Sequence, residues 1–155
     1  MPKLATRRTT FIALFAFGMS GAAFAANPLS TGLGQSWPNT ADVSTNPNFH
    51  VYVFALGGIR YIQVNDINGN VLGSVGTASD QFITLPIGRF AQLVSTPQQP
   101  LATPTSAIPA ASPSPIYNDG TTSITATPLS DGTLRLSAAA AQNQCDPGDC
   151  NIKAP

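Results

Sequence analysis

The chain has 155 residues, with seven Lys and Arg balancing seven acids. All seven acids are Asp, Glu is absent, and His50 is the single histidine. A nucleic-acid binder needs clustered cations to displace counterions from phosphates, so nucleic acid is excluded as a partner. The thin supply of carboxylates and imidazole also argues against an enzyme.

The N-terminus reads as a secretory signal over residues 1–25. Lys3, Arg7 and Arg8 form a basic start, Phe11 to Phe17 is apolar, and Ala23-Phe24-Ala25 has the small-x-small pattern of a cleavage site. Cleavage is expected between Ala25 and Ala26. The apolar stretch falls short of the roughly 20 residues that span a bilayer. No later segment is long and apolar enough, so no membrane span is expected after cleavage. Arg7-Arg8 raises the twin-arginine route, but Thr10 stands where an apolar residue is expected, which favours ordinary secretion. The sequence thus places the protein in a periplasm or the medium. Removal of the signal leaves Arg60, Arg89, Arg135 and Lys153 against all seven Asp, a mildly acidic product.

Residues 26–48 are rich in Asn, Ser, Thr, Gly and Pro and contain the only tryptophan, Trp37. They read as a flexible leader. Residues 49–94 read as a β-meander. Phe49 to Leu56 is β-branched and aromatic, with apolar residues at both alternating sets of positions, which predicts a strand covered on both faces. Gly57-Gly58 suits a two-residue hairpin turn. Ile59 to Asn65 follows as a second strand, and Asp66 to Asn70 as a turn. Val71 to Thr77 is a third strand in which Gly73 and Gly76 predict a bulge or a close backbone approach. Ala78-Ser79-Asp80 turns again into Gln81 to Ile87. Arg89 to Val94 could add a short strand.

Residues 95–118 carry repeated prolines among Thr, Ser, Ala and Gln, and read as a disordered linker with polyproline character. Residues 119–144 read as a hairpin. Its arms, Ser123 to Leu129 and Thr133 to Ser137, flank Ser130-Asp131-Gly132, and Leu134 and Leu136 alternate with polar residues. Ala138 to Ala141 reads either as more strand or as one helical turn. The fold class expected is therefore all-β: a small antiparallel meander sheet or incomplete barrel plus a C-terminal hairpin.

Residues 145–155 form a C-terminal loop holding both cysteines. Cys145 and Cys150 bracket Asp146-Pro147-Gly148-Asp149, a turn that can bring two Cα atoms within disulfide range in an oxidising compartment. A Cys145–Cys150 disulfide closing so short a loop would contribute roughly 2 kcal/mol. A redox pair usually has two intervening residues, and a thiolate metal site lacks a nearby His or second Cys pair.

Other candidate sites are weaker. Asp66-x-Asn68-x-Asn70 resembles the start of a Ca²⁺ loop but lacks the closing Glu, and Asn68-Gly69 is by itself a hairpin signal. His50 lies in an apolar strand, where a packed side chain is the ordinary reading. Ser74, in Leu-Gly-Ser-Val-Gly, misses the spacing of a nucleophile elbow. Tyr52, Phe54, Tyr61, Phe82 and Phe90 form an aromatic set that reads as core, or as a platform for sugar or peptide if exposed. No cofactor is implied. The sequence supports an exported, non-catalytic structural or binding module with a protein or glycan partner. A subunit joined by β-strand addition and a small hydrolase using Asp and His50 are the alternatives.

Overall fold

The computed structural model describes residues 30–101 and 106–141. The signal segment with Ala25 and Ala26, and the Cys145–Cys150 pair, lie outside them.

The meander forms as the alternation requires. β1 (Phe49–Leu56), β2 (Ile59–Asp66), β3 (Val71–Ala78) and β4 (Gln81–Leu85) make an antiparallel sheet in chain order. Gly57 and Gly58 both adopt positive φ between β1 and β2, as the twist of a tight hairpin demands. In the β2–β3 pairing Val64 faces Gly73 while Asn65 faces Val71, so Leu72 is the extra residue of a bulge. Gly73 also meets the expected close approach. A Cβ there would lie 2.6 Å from Val94 Cγ2 and 2.8 Å from Leu136 Cδ1.

Those two residues belong to a second sheet. β5 (Val94–Ser95), β6 (Ser114–Asn118), β7 (Thr122–Pro128) and β8 (Leu134–Ala140) are ordered β5-β8-β7-β6. The two long arms form the expected antiparallel hairpin, while β5 runs parallel to β8. Val51, Ile62, Val64, Val75 and Phe82 of the first sheet share one core with Val94, Ile116, Ile124, Leu136 and Ala138 of the second. The molecule is all-β, with two open sheets packed on a common core rather than a barrel.

Several expectations change. The prolines do not keep 95–118 free of ladder structure: β6 lies inside it and pairs with β7. Pro115 is tolerated because β6 is an edge strand, and the register slips between Pro115 and Tyr117. Arg89 to Val94 gives a 3₁₀ turn at Ala91–Leu93, and only Val94 enters a strand. β4 stops at Leu85, before Pro86. Ala138 to Ala140 continue β8 rather than turning into a helix.

The largest change concerns the leader. Residues 30–48 are not a loose arm but a loop laid over the outer face of the first sheet. Thr31 bridges Asn39, and Asp42 bridges Tyr52. Val43 N–H donates to Val51 O at 2.8 Å, along the β1 edge. Thr45 N–H donates to Ile116 O at 2.9 Å, joining the leader to β6. The other outer edge of this sheet is closed by side chains. Gln98 and Gln99 accept from the N–H groups of Phe82 and Thr84 on β4, at 3.2 and 2.6 Å. Unpaired edge groups invite a foreign strand, and these contacts occupy some of them.

Candidate functional site

The apolar character of β1 at both sets of positions has a direct structural consequence. Val51 faces the shared core, while Tyr52 and Phe54, both buried, face the leader. The leader is fixed there by two polar side chains of β2. Gln63 and Asn65 have no exposed surface. Gln63 Oε1 accepts from Gly34 N–H at 2.6 Å, and its Nε2 donates to Gln35 O at 2.8 Å. Asn65 Nδ2 donates to Ser36 O at 2.8 Å, and Gln63 Nε2 also reaches Asn65 Oδ1. A buried amide is stable only when hydrogen-bonded, so these positions specify where the loop must lie.

The next residue of the loop is Trp37, and it is 61% exposed. It is nevertheless well supported. Its indole leans on Gly69, where an added Cβ would lie 2.8 Å from Cε2 and Cζ2. Gly69 holds φ +82°, so both its conformation and its missing side chain serve this contact. The ring also meets His50 edge-on, with centroids 5.4 Å apart, and His50 stacks on Tyr52 at 6.2 Å.

Asp42 orients His50. Its Oδ2 lies 2.7 Å from His50 Nδ1, and its Oδ1 accepts from the N–H groups of Ser44 and Val51 at 2.9 Å. Burial pushes the Asp42 carboxyl up, but the bonds from His50, Val51 and Ser44 outweigh it and hold it below the usual range. A carboxylate can only accept, so Nδ1 carries the proton and Nε2 is left as the second polar atom of the ring. Nε2 has no partner among the described residues and retains contact with solvent. His50 thus has one acid beside it and no hydroxyl bonded to Nε2 among the described residues.

The remaining sequence candidates fall elsewhere. Asp66 spends its oxygens on its own turn: Oδ1 accepts from Asn68 and Asn70 N–H at 2.9 Å, and Oδ2 accepts from Asn70 Nδ2 at 2.8 Å. Burial raises its carboxyl, and these bonds more than reverse the effect. The Asp-x-Asn-x-Asn spacing is therefore a closed turn. No cluster of three metal-ligating side chains occurs among the described residues. Ser74 is buried, and its Oγ has no partner there. Of the aromatic set, Tyr52, Phe54 and Phe82 are buried, and Tyr61 and Phe90 are half-buried. Phe82 lies in the shared core and Phe90 packs against it, Tyr52 and Phe54 lie under the leader, and among the described residues the exposed aromatic is Trp37, in the segment read as leader. Its sequence signal was slight: a lone Trp before Pro38.

A second polar cluster sits where the sheets meet. Arg60 of β2 lies 2.6 Å from Asp119 Oδ2, and Tyr117 Oη donates to the same oxygen at 3.0 Å. Asp119 Oδ1 accepts from Thr121 and Thr122 N–H at 3.0 and 2.7 Å. Burial raises Asp119, yet the Thr122, Thr121 and Tyr117 bonds hold it far below the usual carboxylate range. Burial and the neighbouring Asp119 push Tyr117 up to about 12. A cleft of about 250 Å³ adjoins Arg60. Arg60 is already engaged by Asp119 and by the hydroxyls of Thr121 and Thr122, so the cluster reads as a clip between sheets.

Among the described residues no helix is long and apolar enough to cross a membrane. Comparisons with protein-family models, curated proteins and solved structures return no match to this chain.

Proposed function

We propose that this protein is an exported, non-catalytic binding module whose ligand surface is the Trp37–His50 face of the leader. The supporting observation is the exposure of Trp37 on a loop that buried Gln63 and Asn65 hold to the sheet. Large aromatic side chains left in water usually serve contact, and a rigid support lowers the ordering cost of binding. The basic, apolar and small-residue zones of residues 1–25 support export.

Trp37 is the only tryptophan, so its emission reads this surface directly. Titration of candidate envelope ligands against the purified protein should shift or quench that emission. Saturable binding that leaves the emission unchanged would place the ligand surface elsewhere. N-terminal sequencing of the exported protein should begin at Ala26. A retained Met1 in that fraction would remove the cleavage reading, and absence of the protein from the exported fraction would remove the export reading.

Strand addition is the second reading, and one observation favours it. β8 runs to Ala140, whereas β5 pairs with it only at Leu136 and Ser137. Size-exclusion chromatography over a range of concentrations separates the two readings, since joining by that edge requires self- or partner-association.

A further inference from the structure

The leader covers the β1 edge only in part. Val51 directs both backbone groups away from β2: its O accepts from Val43 N–H, and its N–H donates to Asp42 Oδ1. Backbone groups alternate sides along a strand, so those of Val53 and Ala55 point the same way. Val53 O accepts from Thr40 Oγ1 at 3.3 Å. Beyond that the edge is open. Among the described residues, Val53 N–H and the N–H and O of Ala55 have no partner.

An apolar groove of about 470 Å³ begins at the same place. Ala55 lines it together with Phe54, Leu56 and Tyr61 of the sheet and Leu33 of the leader, and no lining residue is charged. Leu56 stands at its rim and is 69% exposed. We infer that Phe54–Leu56 and this groove form a self-pairing surface, at which a second copy of the chain joins edge to edge about a two-fold axis at Ala55. The surface is distinct from the Trp37–His50 face and from the open part of β8.

Three arguments select a second copy. The first is the backbone. Ala55 offers a donor and an acceptor on one side, so two antiparallel copies exchange both bonds there. The second is register. That pairing opposes position 56 of one copy to position 54 of the other, on one face of the joined sheet. Leu56 of each copy therefore meets Phe54, a wall of the other's groove. The third is charge. Phe54 to Gly58 carry none, so the pairing sets no like charges together and suits an uncharged groove.

The leader limits the overlap. Thr40 already holds Val53 O, and beyond Leu56 the chain turns at Gly57 and Gly58, which have no side chains to strike the leader. So short a contact is weak and fills as concentration rises. It also closes. The far edge, β4, is covered at Phe82 and Thr84 by Gln98 and Gln99, so two copies complete the assembly.

The test uses the protein as its host processes it. Sedimentation velocity over a wide concentration range should show a monomer–dimer equilibrium with no larger species. Leu56→Asp puts a charge into each apolar groove and should weaken the dimer by roughly tenfold or more. Ala55→Pro, tolerated on an edge strand, removes the exchanged donor and should abolish the dimer. Ile67→Asp, exposed in the turn after β2, should leave it unchanged. In a Cys145→Ser, Cys150→Ser background, Ala55→Cys should cross-link to itself on mild oxidation, because the pairing sets the two Cα atoms about 5.5 Å apart. Ile67→Cys should not. Circular dichroism checks that each variant folds.

A monomer at every concentration up to the solubility limit overturns the inference and leaves the groove to another segment or partner. Association unchanged by both Leu56→Asp and Ala55→Pro also overturns it, and assigns the contact to the open part of β8.

Discussion

The two sheets share a core but treat their outer faces differently. On the first sheet the outer face carries Tyr52, Phe54, Gln63 and Asn65, all buried beneath or beside the leader. On the second the outer positions are mostly polar: Ser123, Thr125, Arg135 and Ser137 stay partly or fully exposed, and Thr127 is buried. One hydrophobic face suffices for an antiparallel sheet, and the second sheet follows that rule. The first needs a third layer, and the chain supplies it from its own N-terminal side. A platform for Trp37 exists only because that layer does.

This difference can be broken by substitution, with effects that should fall in a definite order. The inner faces should behave alike. Phe82→Ala in the first sheet should cost about 4 kcal/mol and Leu136→Ala in the second about 3 kcal/mol, read by urea unfolding. A large disparity would mean that the sheets do not unfold as one unit.

The outer faces should not behave alike. Gln63→Leu removes the partner of Gly34 N–H and the donor to Asn65 Oδ1, and leaves Gln35 O only the 3.5 Å bond from Asn65 Nδ2, so it should cost about 2 kcal/mol. It should also open residues 30–42 to limited proteolysis. Thr125→Ala on the other sheet should stay within about 0.5 kcal/mol. Equal effects would show that the leader contributes nothing to the first sheet.

The clip between sheets gives a pH signature. Folding lowers the Asp119 pKa, so the unfolded state binds more protons as the solution turns acid. Its contribution is fully present above the ordinary carboxylate value near 3.8 and falls as pH drops below that. Stability of Asp119→Asn should therefore depend less steeply on pH below about 4 than that of the parent, as read by thermal melts. Asp42 and Asp66 are also lowered and should retain part of the acid loss in the variant.

The smallest effect on stability concerns the edge of the first sheet. Replacing both Gln98 and Gln99 by Ala uncovers the N–H groups of Phe82 and Thr84. Monomer stability should change by less than about 1 kcal/mol, while light scattering should detect concentration-dependent association. A strictly monomeric double variant would show that those glutamines do not guard the edge.

The strands of the meander were legible because their signals are local. β-branched and aromatic residues, the Gly57-Gly58 pair and the Asn68-Gly69 turn each act within a few residues. The doubled apolar pattern of β1 also announced that something must cover its second face. The identity of the cover was not legible. Residues 30–48 have the composition of a loop, and what fixes them is two amides some 28 to 30 residues away. β6 was hidden for a related reason. Its Pro115 argues against a ladder unless the strand lies on an edge, and edge position is a property of the assembled sheet.

The sequence by itself determined the all-β class, the first four strands, the final hairpin and the need to cover β1 twice, because these follow from side-chain period and turn chemistry. Tertiary structure decided that two sheets would share one core, that the leader would become the outer layer, and that Trp37 would stand on Gly69 beside His50. The physical reason is range. Period and turn signals are written in neighbouring residues, whereas burial of Gln63 and Asn65, and the support of Trp37, depend on partners that only folding brings together.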